Sequence, residues 1–264
     1  MAEEIEEIIK NGNIEVLKEL LKKDENLLDY KDKEENELHL IAAYHGQLEI
    51  LKWLLDTTWL SLDSKNKYGG NLMFQAASGG KINILQYLEK EKNFSLSVTA
   101  PNNATLILET AYEGKIEALE YLRSRGASIE DRTANGSTCI MLAIAQQQLD
   151  MVKHLVNINC DLDAKNYFNV TLFEMAILSG NIDIVKFFIN EVEVDINLPG
   201  KSGTAVNYAA SLGHVKIVEL LIINGAKYNE KDILHFLEEK RKGLGDELLY
   251  RMKRNRAKSA KSLV

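Results

Sequence analysis

Disulfide chemistry has little to work with in this sequence, which carries two cysteines in 264 residues. Two cannot staple a chain of this size, so a reducing compartment fits it best. No uncharged apolar run approaches the roughly 18 residues that suggest a membrane span. The N-terminus, Met1-Ala-Glu-Glu-Ile-Glu-Glu, is acidic where a secretory or mitochondrial leader would be basic. A soluble cytoplasmic protein is therefore expected, in a host's cytosol if it is exported by a route that leaves no such signal. Bases are also in deficit, 32 against 39 acids, and a net charge of −7 argues against a body made to grip nucleic acid. Prolines number two. No Gly-rich phosphate loop, His-Glu-x-x-His or Cys-x-x-Cys spacing occurs, and the five histidines are scattered. Nothing motivates a catalytic, metal or cofactor site, so the expectation is a protein that is not an enzyme and takes no cofactor or small-molecule substrate.

What the chain has in quantity is a repeat. A turn glycine stands at Gly12, Gly46, Gly80, Gly114, Gly180 and Gly213, with Gln147 filling the one gap, at spacings of 34, 34, 34, 33, 33 and 33. Two, five and eight residues past each turn, all 21 positions are apolar, as in Val215, Val218 and Leu221 of the last copy. That spacing lines one face of a helix. Before the turn a small pair recurs, as Ala42-Ala43, Ala76-Ala77, Thr110-Ala111 and Ala209-Ala210, where a neighbouring backbone can approach closely. Each unit reads as two short helices joined at the turn. So short a hairpin buries its apolar face only against copies of itself.

Thr105, Thr138, Thr171 and Thr204 recur every 33 residues just before an apolar run, where a hydroxyl can cap the first helix. A polar stretch ahead of each, such as Arg132-Thr-Ala-Asn-Gly-Ser137, reads as a projecting turn, with Asn103 and Asn169 in the positive-φ place that Gly136 fills. His39 stands at an otherwise apolar position and is expected to be partly buried and hydrogen-bonded. His154 is expected on the outer, solvated side, and Cys139 and Cys160 as packing residues.

The period, the two-helix unit and the segments Gly-Ser-Thr-Cys-Ile-Met-Leu-Ala (136–143) and Ala-Ala-Ser-Leu-Gly-His-Val-Lys-Ile-Val-Glu-Leu-Leu (209–221) resemble the ankyrin repeat family over about residues 3–230. The family's Thr-Pro-Leu-His signature is eroded: its proline is missing from every copy, and its histidine is replaced by Leu40, Phe74, Leu108, Met141, Glu174 and Asn207. Those losses imply some irregular hydrogen bonding between repeats. The fold the resemblance implies is an all-α solenoid. It would have an N-terminal capping hairpin (1–31), six repeats (32–231), C-terminal capping helices (232–253) and a basic tail (254–264). In the first copy the small pair becomes Ile8-Ile9, and Glu3, Glu4, Glu6 and Glu7 are expected to face water.

The resemblance also implies a protein partner, held on the concave face by the projecting turns and the ends of the first helices. On that face the candidate partner-binding residues are Tyr44, His45, Tyr68, Tyr112, Glu113, Tyr167, Phe168, Leu178 and Leu212. Five aromatics fall among the 30 positions of this kind, where the chain's 7% would place about two. Tyr and Phe offer large contact area with few torsions to freeze. From Lys240 onward nine bases face two acids, a charge of +7, which leaves −14 for residues 1–239. The leading expectation is a monomeric, non-enzymatic binding module without sequence-specific nucleic-acid reading, in a role that fits an effector delivered to a host by an intracellular bacterium or virus. The alternatives are a scaffold whose basic C-terminal segment sets location and an enzyme with an unrecognised site.

Overall fold

The computed structural model describes residues 2–229 together with 231, 233 and 235. Their regular structure is helical, and extended pairing among them is limited to isolated bridges. Seven hairpins follow in order. They are α1 (Ala2–Lys10) with α2 (Ile14–Lys23), α3 (Leu38–His45) with α4 (Leu48–Thr57), and α5 (Leu72–Ser78) with α6 (Ile82–Glu91). Next come α7 (Leu106–Tyr112) with α8 (Ile116–Ser124), and α9 (Cys139–Ala145) with α10 (Leu149–Asn157). The last two pair α11 (Leu172–Ser179) with α12 (Ile182–Asn190) and α13 (Ala205–Ser211) with α14 (Val215–Ile223). The chain divides into two compact units, residues 1–142 and 143–264, and the division falls inside α9.

Within the first unit α1, α3, α5 and α7 pack each on the next, and α6 packs on α8. Within the second, α11 packs on α13, and α12 packs on both α10 and α14. The sequence pattern accounts for this. The small pairs Ala42-Ala43, Ala76-Ala77 and Thr110-Ala111 are fully buried, and their size lets these first helices approach closely. Leu17, Leu51, Leu85, Leu119, Val152, Val185 and Val218, five past each turn, are all fully buried. Each such side chain contributes about 1.5–3 kcal/mol on leaving water. The residues two past the turn are only half-buried. The second core position is four past it, at Ile50, Ile84, Ala118, Met151, Ile184 and Ile217, each buried; in the first copy it is the exposed Val16.

The turn glycines take φ between 68° and 79°, and Gln147 holds the same left-handed conformation at 59°. A side chain there costs about 1–2 kcal/mol, part of which its amide offsets by donating to the Ser179 carbonyl at 3.3 Å. Asn103 and Asn169 are left-handed as expected, at 59° and 63°.

Four expectations need correction. Thr171 and Thr204 cap their helices through the hydroxyl, Thr171 in a reciprocal box with Glu174. Thr105 makes no such bond, and the Thr105 and Thr138 hydroxyls are buried without a partner. The carboxylate three residues on closes the box at Thr171 but is not required for the cap itself, since Thr204 accepts from the backbone N–H of Asn207. At the N-terminus Ile8 and Ile9 are buried and Glu4 and Glu7 exposed, but Glu6 is half-buried and accepts from the Tyr30 hydroxyl. His154 is half-buried rather than solvated. His39 is wholly rather than partly buried, with Nε2 2.9 Å from the Ser61 carbonyl oxygen. Cys139 and Cys160 are buried free thiols. The side chain of Glu3, nearly all of the expected capping helices 232–253, and the whole tail 254–264 lie outside the described residues.

Candidate functional site

Three of the projecting turns are closed in the same way by a side chain at their base. Asp32 Oδ1 accepts from the N–H groups of Glu34 and Asn36 at 2.9 and 2.8 Å. Asn66 Oδ1 accepts from Tyr68 and Gly70 at 3.1 and 2.9 Å, and Asn166 Oδ1 from Phe168 and Val170 at 3.0 and 3.1 Å. These carboxylate and amide oxygens mimic a backbone turn. Consecutive turns are also tied together: Lys67 N–H donates to the Glu34 carbonyl at 3.0 Å, and Ala134 N–H to that of Asn102 at 2.8 Å. The aromatics Tyr68 and Phe168 therefore ride on fixed tips, two residues past the closing side chain.

In the first unit the turns and the ends of α3, α5 and α7 border a groove of about 790 Å³. Tyr44, His45, Tyr68, Tyr112 and Glu113 all line it. Its tyrosines remain open to water, at 37%, 65% and 39% exposure for Tyr44, Tyr68 and Tyr112. Tyr44 stands edge-on to His45 at 5.1 Å between ring centroids. Lys67 Nζ sits 5.1 Å from the Tyr68 ring centroid and 4.0 Å from Glu34. Burial, and after it Glu113, push the Tyr44 phenol up. Burial and then Lys81 and Lys10 hold His45 below its ordinary value, against the pull of Glu6 and Glu7.

Glu109, which sequence reasoning did not single out, belongs to this groove. It extends from α7 and accepts a hydrogen bond from the Ser78 hydroxyl of the preceding hairpin. Burial raises its carboxyl above the ordinary range, Ser78 opposes that, and Glu113 adds to it. The sequence carried little signal, since the repeat register of Glu109 holds Glu7 and Gln75 as well as Ile41 and Leu142.

The remaining candidates lie in the second unit. Tyr167 and Phe168 are exposed on their turn, with Lys201 Nζ 5.9 Å from the Phe168 ring centroid. Leu178 is exposed and Leu212 half-buried. None of the four lines the cavity of about 910 Å³ found in that unit, whose lining includes Glu174 and Phe188. Glu174, which replaces the signature histidine, accepts from Thr171 N–H at 3.0 Å and from Ser202 N–H of the next turn at 2.9 Å. This is the irregular bonding between repeats that the eroded signature implied. Among the described residues no cluster of His, Cys, Asp or Glu is arranged to hold a metal ion, and no helix is long and apolar enough to cross a membrane.

A family model described as ankyrin repeats, in three copies, matches residues 5–100 and 140–232. The chain belongs to the ankyrin repeat family. The proteins it is similar to are diverse. It is 31% identical over 107 residues to alpha-latrotoxin-Lg1a of Latrodectus geometricus, which covers 39% of this chain and 8% of the toxin. It is 32% identical over 98 residues to a serine/threonine-protein kinase of Mus musculus, 36% of this chain and 12% of the kinase. A putative ankyrin repeat protein of Rickettsia bellii is 31% identical over 101 residues, 38% of this chain and 56% of that protein. The chain thus spans about a tenth of the first two relatives and just over half of the third. A toxin and a kinase share no activity in their names, and each aligns with only about 100 residues of this chain. Such repeats are protein-interaction modules, and that coarse function extends to this chain.

Proposed function

We propose that the chain is a non-enzymatic module that recognises a partner protein through the groove of its first unit. The carrying observation is that five of the nine candidate residues, from three successive hairpins, meet in that one groove with their tyrosines open to water. Buried residues explain themselves by packing; these do not, since Tyr44, Tyr68 and Tyr112 are exposed where the core has no need of them. Tyr68 rides on a tip fixed by Asn66, and Tyr44 and Tyr112 stand on the helices α3 and α7, so little order has to be gained on binding. The encounter is placed in the cytosol, a host's if the chain is a delivered effector, where the two buried thiols stay reduced. The protein acts as a monomer in this reading and does not read nucleic-acid sequence. Tyr167, Phe168, Leu178 and Leu212 are proposed as further contacts. The excess of bases from Lys240 onward favours a second reading, in which that segment sets location while the repeats bind.

The test is a quantitative capture from cell extract with the full chain and with Tyr44→Ala/Tyr68→Ala/Tyr112→Ala. All three side chains are on the surface, so the variant should keep its helical circular dichroism. Loss of the same captured bands supports the reading, and their full recovery by the folded variant rejects it.

A further inference from the structure

The groove of the first unit is acidic. Glu6, Asp32, Glu34, Glu109 and Glu113 line it, and no Lys or Arg does. Glu34 already has Lys67 nearby and Glu6 has the Tyr30 hydroxyl. Among the described residues no Lys or Arg stands within ion-pair distance of Asp32, Glu109 or Glu113. Glu109 and Glu113 are four residues apart at the end of α7 and so share one face, with Ser78 of the neighbouring hairpin fixing the first of them.

A second, independent observation concerns Asn36, which is 8% exposed and part of the groove's lining. Its Nδ2 donates to Asp32 Oδ2 at 2.8 Å, which sets the orientation of the amide, and its Oδ1 is left with no donor. Asp32 takes its donors from its own turn, and the Asn36 oxygen buried behind it adds an unsatisfied acceptor to that end of the groove lining. A third observation is the tyrosine faces, whose quadrupole attracts an ammonium or guanidinium group. Tyr68 already shows this with Lys67. Burial and Glu113 disfavour the ionised form of Glu109, and a cation set against both carboxylates would remove that cost.

We propose that the groove receives an extended segment of a partner protein bearing Lys or Arg, one of whose cationic side chains is seated against Glu109 and Glu113 beside Tyr44 and Tyr112. The proposal rests on the protein-binding reading above and supplies the partner's chemistry. Anionic partners, nucleic acid and acidic lipid among them, meet charge of their own sign on this wall and are turned away.

The test uses fluorescence anisotropy on the full chain with a labelled 11-residue peptide of alternating Lys and Ala, its Arg counterpart, and a Glu counterpart. Two double variants remove equal charge. Glu109→Gln/Glu113→Gln acts in the groove, and Glu49→Gln/Glu117→Gln acts on exposed positions of α4 and α8 outside it. The cationic peptides should bind and the Glu peptide should not. The groove variant should weaken binding at least about tenfold and the control less than about twofold. Glu113→Gln alone, at a half-buried position, should give part of the loss and guards against a folding defect at Glu109. Equal weakening by both doubles would show general attraction to an acidic body and overturn the proposal, as would no binding at all. Tenfold tighter probe binding after removal of 240–264 would make the chain's own basic segment the occupant and overturn it too. If partner capture is lost in the tyrosine variant yet untouched by Glu109→Gln/Glu113→Gln, the cationic chemistry fails while the groove stands as a protein site.

Discussion

An alanine at Gly79 would place a methyl group inside the backbone of the preceding repeat. A Cβ built on Gly79 lies 1.9 Å from the Tyr44 carbonyl oxygen and 2.8 Å from its carbon. Ordinary contact between such atoms is about 3.5 Å, so α5 would have to retreat from α3 by on the order of 1 Å. The obstacle is backbone, and no rotamer change relieves it. The retreat would also loosen the contact made by Ala42, Ala43, Ala76 and Ala77, all fully buried. Overpacking of well-filled interiors costs about 1–3 kcal/mol, and the rigidity of this clash puts Gly79→Ala at the upper end, about 3 kcal/mol. A urea titration followed by circular dichroism at 222 nm measures it as a shift in midpoint at unchanged slope. Glu113→Ala serves as control, because Glu113 holds the same repeat register with a side chain already in place. It should stay within about 0.5 kcal/mol of the parent. A Gly79→Ala loss no larger than the control's would refute the claim that close approach, not conformational freedom, keeps this glycine, whose φ is an ordinary −74°.

Other outcomes follow from individual contacts. Thr171→Val should cost about 1 kcal/mol through loss of its cap, whereas Thr105→Val, which removes a hydroxyl buried without a partner, should be neutral or stabilising by the same urea assay. Ile84→Ala should cost about 2–5 kcal/mol, because Ile84 is fully buried at the second core position. His39 is held below its ordinary 6.5 by burial, against the weaker pull of Glu37 and the Ser61 carbonyl. The unfolded chain therefore takes the proton first. Stability should fall as pH drops through and below that value, and His39→Met should flatten this part of the pH–stability curve. Glu109 behaves oppositely. Its folded carboxyl is raised above 4.5, so the folded chain holds the proton longer and stability falls as pH rises out of the ordinary carboxylate range. Glu109→Gln should accordingly gain on the parent as pH rises above 4.5, read as melting temperature against pH.

The hairpins and their core were legible because packing writes itself periodically: a residue that must be buried in every copy recurs at a fixed phase. Phase alone still misjudged which stripe lies deepest. Ile50, Ile84 and Ile217, four past the turn, are buried, while Leu48, Ile82 and Val215, two past it, are half-buried. The second helix therefore faces its neighbours along a line rotated from the stripe first drawn. The turn closure by Asp32, Asn66 and Asn166 was equally periodic, and the missing third member, Ala100, is one reason it passed unseen; there Asn102 accepts from Ala104 N–H at 3.1 Å instead. The threonines show the limit of one-residue signals, since identical residues in identical register cap or fail to cap. Of the candidate site, the tyrosines and Glu113 in the first unit were legible as aromatic and charged residues at turn tips and helix ends. Glu109 and Asn36 were not. Their significance comes from what fails to pair with them, and that is visible only once three hairpins are assembled.

Amide hydrogen exchange on the full chain, with and without a captured partner at saturation, tests the central claim most directly. Binding in the groove should slow exchange at the turns 32–36, 66–70 and 100–104 and at the ends of α3, α5 and α7, while the outer faces of α4, α6 and α8 exchange as before. Protection confined to α4, α6 and α8, with those turns unchanged, would contradict the account.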